Sequence, residues 1–165
     1  MSRGFVLVEV SITYVILSLA LVALLPVFIL AIRAAKSTER IEVATQLSTE
    51  LVEEIRLRKW DAATPRPHRH ISTPGSLGIE KSEIASDKRT FDDIDDFNGW
   101  HEAPPLDPLR RPLTAFSAYS RDVTVRYVDA SMEPASGPTD YKQVAACTQA
   151  AKMKPLCISS VLTNR

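Results

Sequence analysis

The first long stretch of the chain is apolar almost without a break. From Phe5 to Ile32 the one charged side chain is Glu9, and the other polar groups are Ser11, Thr13, Tyr14 and Ser18. At about 1.5 Å per residue this run makes a helix longer than the roughly 30 Å hydrocarbon core of a bilayer, so a transmembrane half-helix is predicted over residues 5–32. Pro26 lies inside it. A proline there deletes one backbone hydrogen bond and crowds the preceding turn, which predicts a kink or a locally meltable segment, although proline is also common in membrane helices. Ser11, Tyr14 and Ser18 fall on one face at helical spacing, beside the small residues Ala20 and Ala23, a pattern that suits either close helix packing or polar groups tolerated by lipid. Beyond Arg33 the pattern changes but does not stop. Ala44, Leu47, Leu51, Val52 and Ile55 recur at steps of three and four while Glu39, Arg40, Glu50, Glu53, Glu54 and Arg58 take the other faces, so an amphipathic half-helix is predicted over residues 33–60. Arg56, Arg58 and Lys59 in its last turn complement the negative helix end, and Pro65 and Pro67 oppose continuation. The two halves together predict a rod of about 80 Å, half in lipid and half under a globular cap.

From residue 62 to about 118 periodicity is weak and turn residues dominate, so a long irregular segment is predicted. Within it, Phe91, Ile94, Phe97 and Trp100 stand at three-residue spacing with Asp92, Asp93, Asp95 and Asp96 between them. Such a segment docks its aromatic side on a core and leaves its oxygens outward. Strands come late. Arg121 to Val128 alternates, with Val123, Val125 and Tyr127 on one face and Asp122, Thr124 and Arg126 on the other. Pro134 to Pro138 reads as a turn, and Tyr141 to Cys147 and Cys157 to Thr163 are further strands, antiparallel neighbours across a polar loop holding Lys152, Lys154 and Pro155. The predicted class is α+β: a long N-terminal helix packed against a small antiparallel sheet.

Composition narrows this picture. The chain has 165 residues, which leaves about 130 after a membrane segment, enough for one modest domain. Twenty basic and twenty acidic residues balance without a one-signed segment, so nucleic acid is not an expected partner. Eleven prolines against five glycines indicate stiff loops. The opening run is too long for a secretory signal and no small-residue cleavage site closes it, so the helix is expected to stay on the protein.

Candidate chemistry is sparse. Glu9 is the exception, because a carboxylate within a membrane helix costs up to roughly 2.5–3.5 kcal/mol and marks a functional site with a partner. His68 and His70 sit in the basic loop 65–70, where no third metal ligand is near in sequence, and a solvated loop is the expectation. The four aspartates supply closely spaced hard oxygens of the kind Ca²⁺ takes, but without the glycine and distal glutamate of an EF-hand loop. Metal-free docking is the reading adopted, with calcium on Asp92, Asp93, Asp95 and Asp96, or contact with a partner, as alternatives. No nucleophile elbow, phosphate loop or metal-ligand motif is present, and an enzyme is not expected.

The string Gly4-Phe5-Val6-Leu7-Val8-Glu9, after a short leader with Arg3 and before about twenty apolar residues, resembles the type III signal of type IV prepilins and pseudopilins, with Val6 where that family often has threonine. The segment Glu50 to Ile55 followed by Trp60-Asp61, and the aspartate-rich string, resemble minor pilins of the mannose-sensitive haemagglutinin and pilus-modification type. This resemblance implies a pilin-like fold with a leader at 1–4 and an extracytoplasmic domain at 61–165. It implies cleavage between Gly4 and Phe5 by a prepilin peptidase, N-methylation of Phe5, and a role for Glu9 in assembly. Pilins of this kind carry a proline at the distance of Pro26, around which the helix can unwind. The implied place is the bacterial inner membrane, single-pass, with the N-terminus cytoplasmic and the domain periplasmic, and then a filament. The implied partners are other pilin subunits through the helix and the inner-membrane assembly platform. With the domain outside the cytoplasm, Cys147 and Cys157 are consistent with one disulfide, worth roughly 2.5–3 kcal/mol on the chain-entropy model; buried free thiols are the alternative. The expected function is that of a minor pilin, with a minor pseudopilin of a type II secretion system as runner-up and a membrane-anchored periplasmic binding module as the rival of another class.

Overall fold

The computed structural model describes residues 3–64 and 70–165, with side chains described from Leu7 onward. Prolines 65 and 67 and His68 lie outside the described residues. The chain forms two compact units, Met1–Arg40 and Ile41–Arg165, and one helix, α1 (Arg3–Arg56), runs through their boundary. The α+β arrangement expected from the sequence is present: a long N-terminal helix, whose later part packs on a small antiparallel sheet, as in a pilin-like fold.

In the first unit α1 is long and apolar enough to cross a membrane. Its large side chains from Leu7 to Ile32 are exposed, and α1 remains helical on both sides of Pro26.

In the second unit the amphipathic stripe does what its spacing requires. Ala44, Leu47, Leu51, Val52 and Ile55 are all buried, while Glu50 and Glu53 face solvent. The helix ends at Arg56, four residues before the predicted end. The reason is competition for backbone groups. The Lys59 N–H donates to the Asp92 carbonyl at 3.3 Å and the Ile94 N–H donates to the Lys59 carbonyl at 3.0 Å, so the chain leaves the helix to pair with the aspartate-rich segment.

The sheet has four strands in the order β1 (His101–Glu102), β2 (Tyr119–Tyr127), β3 (Tyr141–Ala150) and β4 (Leu156–Thr163), every pair antiparallel. Val123, Val125 and Tyr127 face inward as the alternation predicts. The two-residue β1 is a strand the irregular stretch did not announce. It follows Gly99, whose φ of 81° is one that side chains rarely adopt and which turns the chain from a 3-10 turn at Asp95–Phe97 toward the sheet. Phe91, Ile94, Phe97 and Trp100 are all buried against Leu51, Ile55 and the inner face of β2 and β3. Phe91 meets the Phe97 and Trp100 rings edge-on, at 5.1 and 5.3 Å between centroids. A buried hydroxyl pair, Ser48 with Thr148 at 2.7 Å, links α1 to β3.

Candidate functional site

Gly4 and Phe5 belong to the helical backbone of α1, and their side chains lie outside the described ones. Glu9 is exposed, and its carboxylate makes no hydrogen bond or ion pair among the described residues. The hydroxyls near it are different. Ser11 Oγ donates to the Leu7 carbonyl at 2.8 Å, Thr13 Oγ1 to the Glu9 carbonyl at 2.8 Å, and Ser18 Oγ to the Tyr14 carbonyl at 2.7 Å. These groups satisfy themselves within the helix and are compatible with lipid without any neighbour. The Glu9 carboxyl has no such internal partner among the described residues.

Cys147 and Cys157 stand opposite each other in the β3–β4 register and form a disulfide, with 3.9 Å between their Cα atoms. Of the two open readings of this pair, the free thiols are excluded.

The aspartate-rich segment departs from expectation. Its aromatic side docks on the core, but the oxygens do not face outward: Asp93, Asp95 and Asp96 are fully buried and only Asp92 is half exposed. Local backbone donors draw the carboxylates in. Asp93 Oδ1 accepts the Asp95 N–H at 2.8 Å, and Asp96 Oδ2 accepts the Asp92 and Asp93 N–H groups, both at 2.9 Å. Asp95 instead meets the ammonium of Lys142, which rises from β3 with no exposed surface. That ammonium also donates to the Trp60 carbonyl at 2.6 Å and lies 4.2 Å from the centre of the Trp60 ring. Asp92 pairs with Lys59.

The four aspartates therefore do not form one ligand set. Two overlapping groups do bring carboxylate oxygens within 4.8 Å of one another: Glu80, Asp93 and Asp96, and Glu83, Asp92 and Asp96. Burial, and then repulsion from Asp95, pushes the Asp93 carboxyl well above the usual range. Burial, and then the closeness of Glu83, does the same to Asp96, and burial raises Glu80. His70 has another partner, Asp140, at 3.2 Å, and belongs to neither group.

A second buried polar cluster went unread in the sequence. Glu102 on β1 has no exposed side-chain surface and accepts from Lys88 Nζ at 3.0 Å, Trp100 Nε1 at 3.0 Å, the Leu106 N–H at 3.0 Å and Arg121 Nε at 2.8 Å. Glu54 of α1 joins through Lys88 at 3.1 Å. Each cation of this cluster is bonded to protein groups, so the cluster ties helix, loop and sheet together. Inward-facing Arg121 was the available signal here, as Lys142 was for the Asp95 pair, since each shares the parity of buried valines on its strand.

Comparison with family models, curated proteins and solved structures yields no match.

Proposed function

We propose that this protein is a minor pilin, a structural subunit that enters a type IV pilus-like filament through its N-terminal helix. The observation that carries the reading is Glu9, the single charged side chain between Phe5 and Ile32 of a helix apolar enough there to span a membrane, with no partner in its own chain among the described residues. Cleavage after Gly4 would free an ammonium on Phe5, about 6 Å along the axis from Glu9 in the same helix. A straight helix does not close that gap comfortably, so the amine of a neighbouring subunit is the better partner. In low dielectric such a pair attracts strongly while either charge alone is costly. The N-terminus then lies in the cytoplasm and the domain in the periplasm, which the disulfide supports, since such bonds persist in oxidising compartments.

The mature N-terminus tests this reading. Mass spectrometry of membrane-extracted protein, from cells that contain a prepilin peptidase, is expected to find Phe5 first and methylated. An intact Met1 or Ser2 would instead identify a bitopic anchor.

A further inference from the structure

Among the described residues four buried side-chain oxygens lack a hydrogen-bond partner, and three of them sit in one place: Glu80 Oε2, Asp93 Oδ2 and Asp96 Oδ1. Asp93 and Asp96 have no exposed surface. The fourth, Glu54 Oε1, stands apart and its other oxygen pairs with Lys88, while at Glu102 both oxygens are engaged. Three orphaned acceptors in neighbouring residues are a different condition, because a buried polar group left without a partner is costly, and a charged one more so. No lysine or arginine among the described residues pairs with Glu80, Asp93 or Asp96; the nearby ammonium groups of Lys59 and Lys142 pair with Asp92 and Asp95. The cluster is short of positive charge and of donors at the same point.

We infer that Glu80, Asp93 and Asp96 form a Ca²⁺ site, with Glu83 and Asp92 at its solvent side. One cation supplies the missing charge and engages one carboxylate oxygen of each of the three residues. The dimensions fit. Three oxygens no more than 4.8 Å apart share a centre within about 2.8 Å of each, so a contraction of a few tenths of an ångström reaches the 2.3–2.6 Å of calcium coordination. Mg²⁺ at about 2.0–2.1 Å requires a larger collapse and a strict octahedron, which disfavours it. Oxygen-only ligands argue against zinc and copper. Asp92, half exposed, leaves a way in from solvent, and its group with Glu83 and Asp96 lies within the same 4.8 Å. Water completes the six to eight ligands calcium takes.

The ligand set differs from the one the aspartate spacing suggested. Asp95 leaves it for Lys142, and Glu80, separated from Asp93 by a turn-rich stretch, enters.

Calcium binding by the full-length protein in detergent micelles, stripped with EDTA, decides the matter. Equilibrium dialysis with radioactive Ca²⁺ is expected to find one ion per chain, saturating by about 1 mM, and thermal unfolding is expected to shift upward with Ca²⁺ more than with equal Mg²⁺. Asp96→Asn should abolish binding and Glu80→Gln should weaken it at least about tenfold, while Glu42→Gln, on an exposed face of α1, should bind like the wild type. Glu80 is only half-buried, so Glu80→Gln keeps the test decisive should Asp96→Asn fail to fold. Absence of bound calcium at about 5 mM would overturn the site. So would wild-type binding by Glu80→Gln, which would put the ion elsewhere.

Discussion

Replacing Glu102 with glutamine keeps its shape and removes one charge from the most enclosed ion cluster of the domain. Lys88 and Arg121 are buried to within 2% of completely, so neither can turn to water when the carboxylate is lost. Breaking a buried pair by removing one partner costs about 3–5 kcal/mol, because the remaining charge stays desolvated. Two features place Glu102→Gln at the lower end. Lys88 keeps Glu54 at 3.1 Å, and Arg121 keeps the Leu47 and Leu106 carbonyls at 3.1 and 2.6 Å. The expected loss is about 3 kcal/mol, or about 10 °C in Tm for a domain of this size. Thermal or urea unfolding of the full chain in detergent micelles reads it. A second reading comes from pH. Burial pushes the Glu102 carboxyl up, but Arg121 and Lys88, with hydrogen bonds from Trp100 and Leu106, outweigh it and hold the group below the ordinary glutamate value of 4.5. A group depressed by folding contributes stability that is complete above its unfolded pKa and is lost as pH falls through its folded one. The difference between wild type and Glu102→Gln should therefore be full at pH 7 and shrink as pH falls below about 4.5. A variant within about 1 kcal/mol of the wild type at pH 7, or a gap that does not change in acid, would refute the reasoning.

Three further outcomes are expected. Alkylation without reduction should label neither Cys147 nor Cys157, and replacing both with serine should cost about 2.5–3 kcal/mol in the same unfolding assay; labelling of both thiols in unreduced protein from the periplasmic side would weaken the proposed topology. Lys142→Met should cost about 3–5 kcal/mol, since it strands the buried Asp95 carboxylate, and a loss under about 1 kcal/mol would mean that the ammonium is not what holds that acid. Glu9→Val should still reach the membrane and keep a protease-resistant domain, yet be missing from sheared filaments; normal levels in filaments would give the acid another purpose.

What could be read from the sequence was what depends on local period. The stripe from Ala44 to Ile55, the alternation of Val123, Val125 and Tyr127 and the three-residue spacing from Phe91 to Trp100 each specify which side is apolar, and each is buried as expected. Where a carboxylate goes depends on what meets it in space, and that is not periodic. The aspartates beside those aromatics were expected outside. Asp93, Asp95 and Asp96 turned inward because adjacent N–H groups and a lysine some fifty positions later, Lys142, satisfy them there. Glu102 could not be read at all, since its partners Lys88 and Arg121 lie 14 and 19 positions away on opposite sides. The end of α1 was misplaced for a related reason, because helix propensity at residues 57–60 competes with a bridge to residue 93 that no local pattern announces.

The bonds that close the helix side of the domain also set an order in time. Ser48 waits for Thr148, the Trp60 indole N–H for the Leu162 carbonyl, and both backbone groups of Ile71 for the side chain of Asn164, across separations of 100, 102 and 93 positions. A ribosome adding about 5–20 residues per second takes about 5–20 s to cover such a distance. For that interval the apolar stripe of α1 is already made and its cover is not. Early synthesis thus delivers a thread that cannot yet close on itself, and the domain shuts only when its last two strands arrive together, joined by their disulfide.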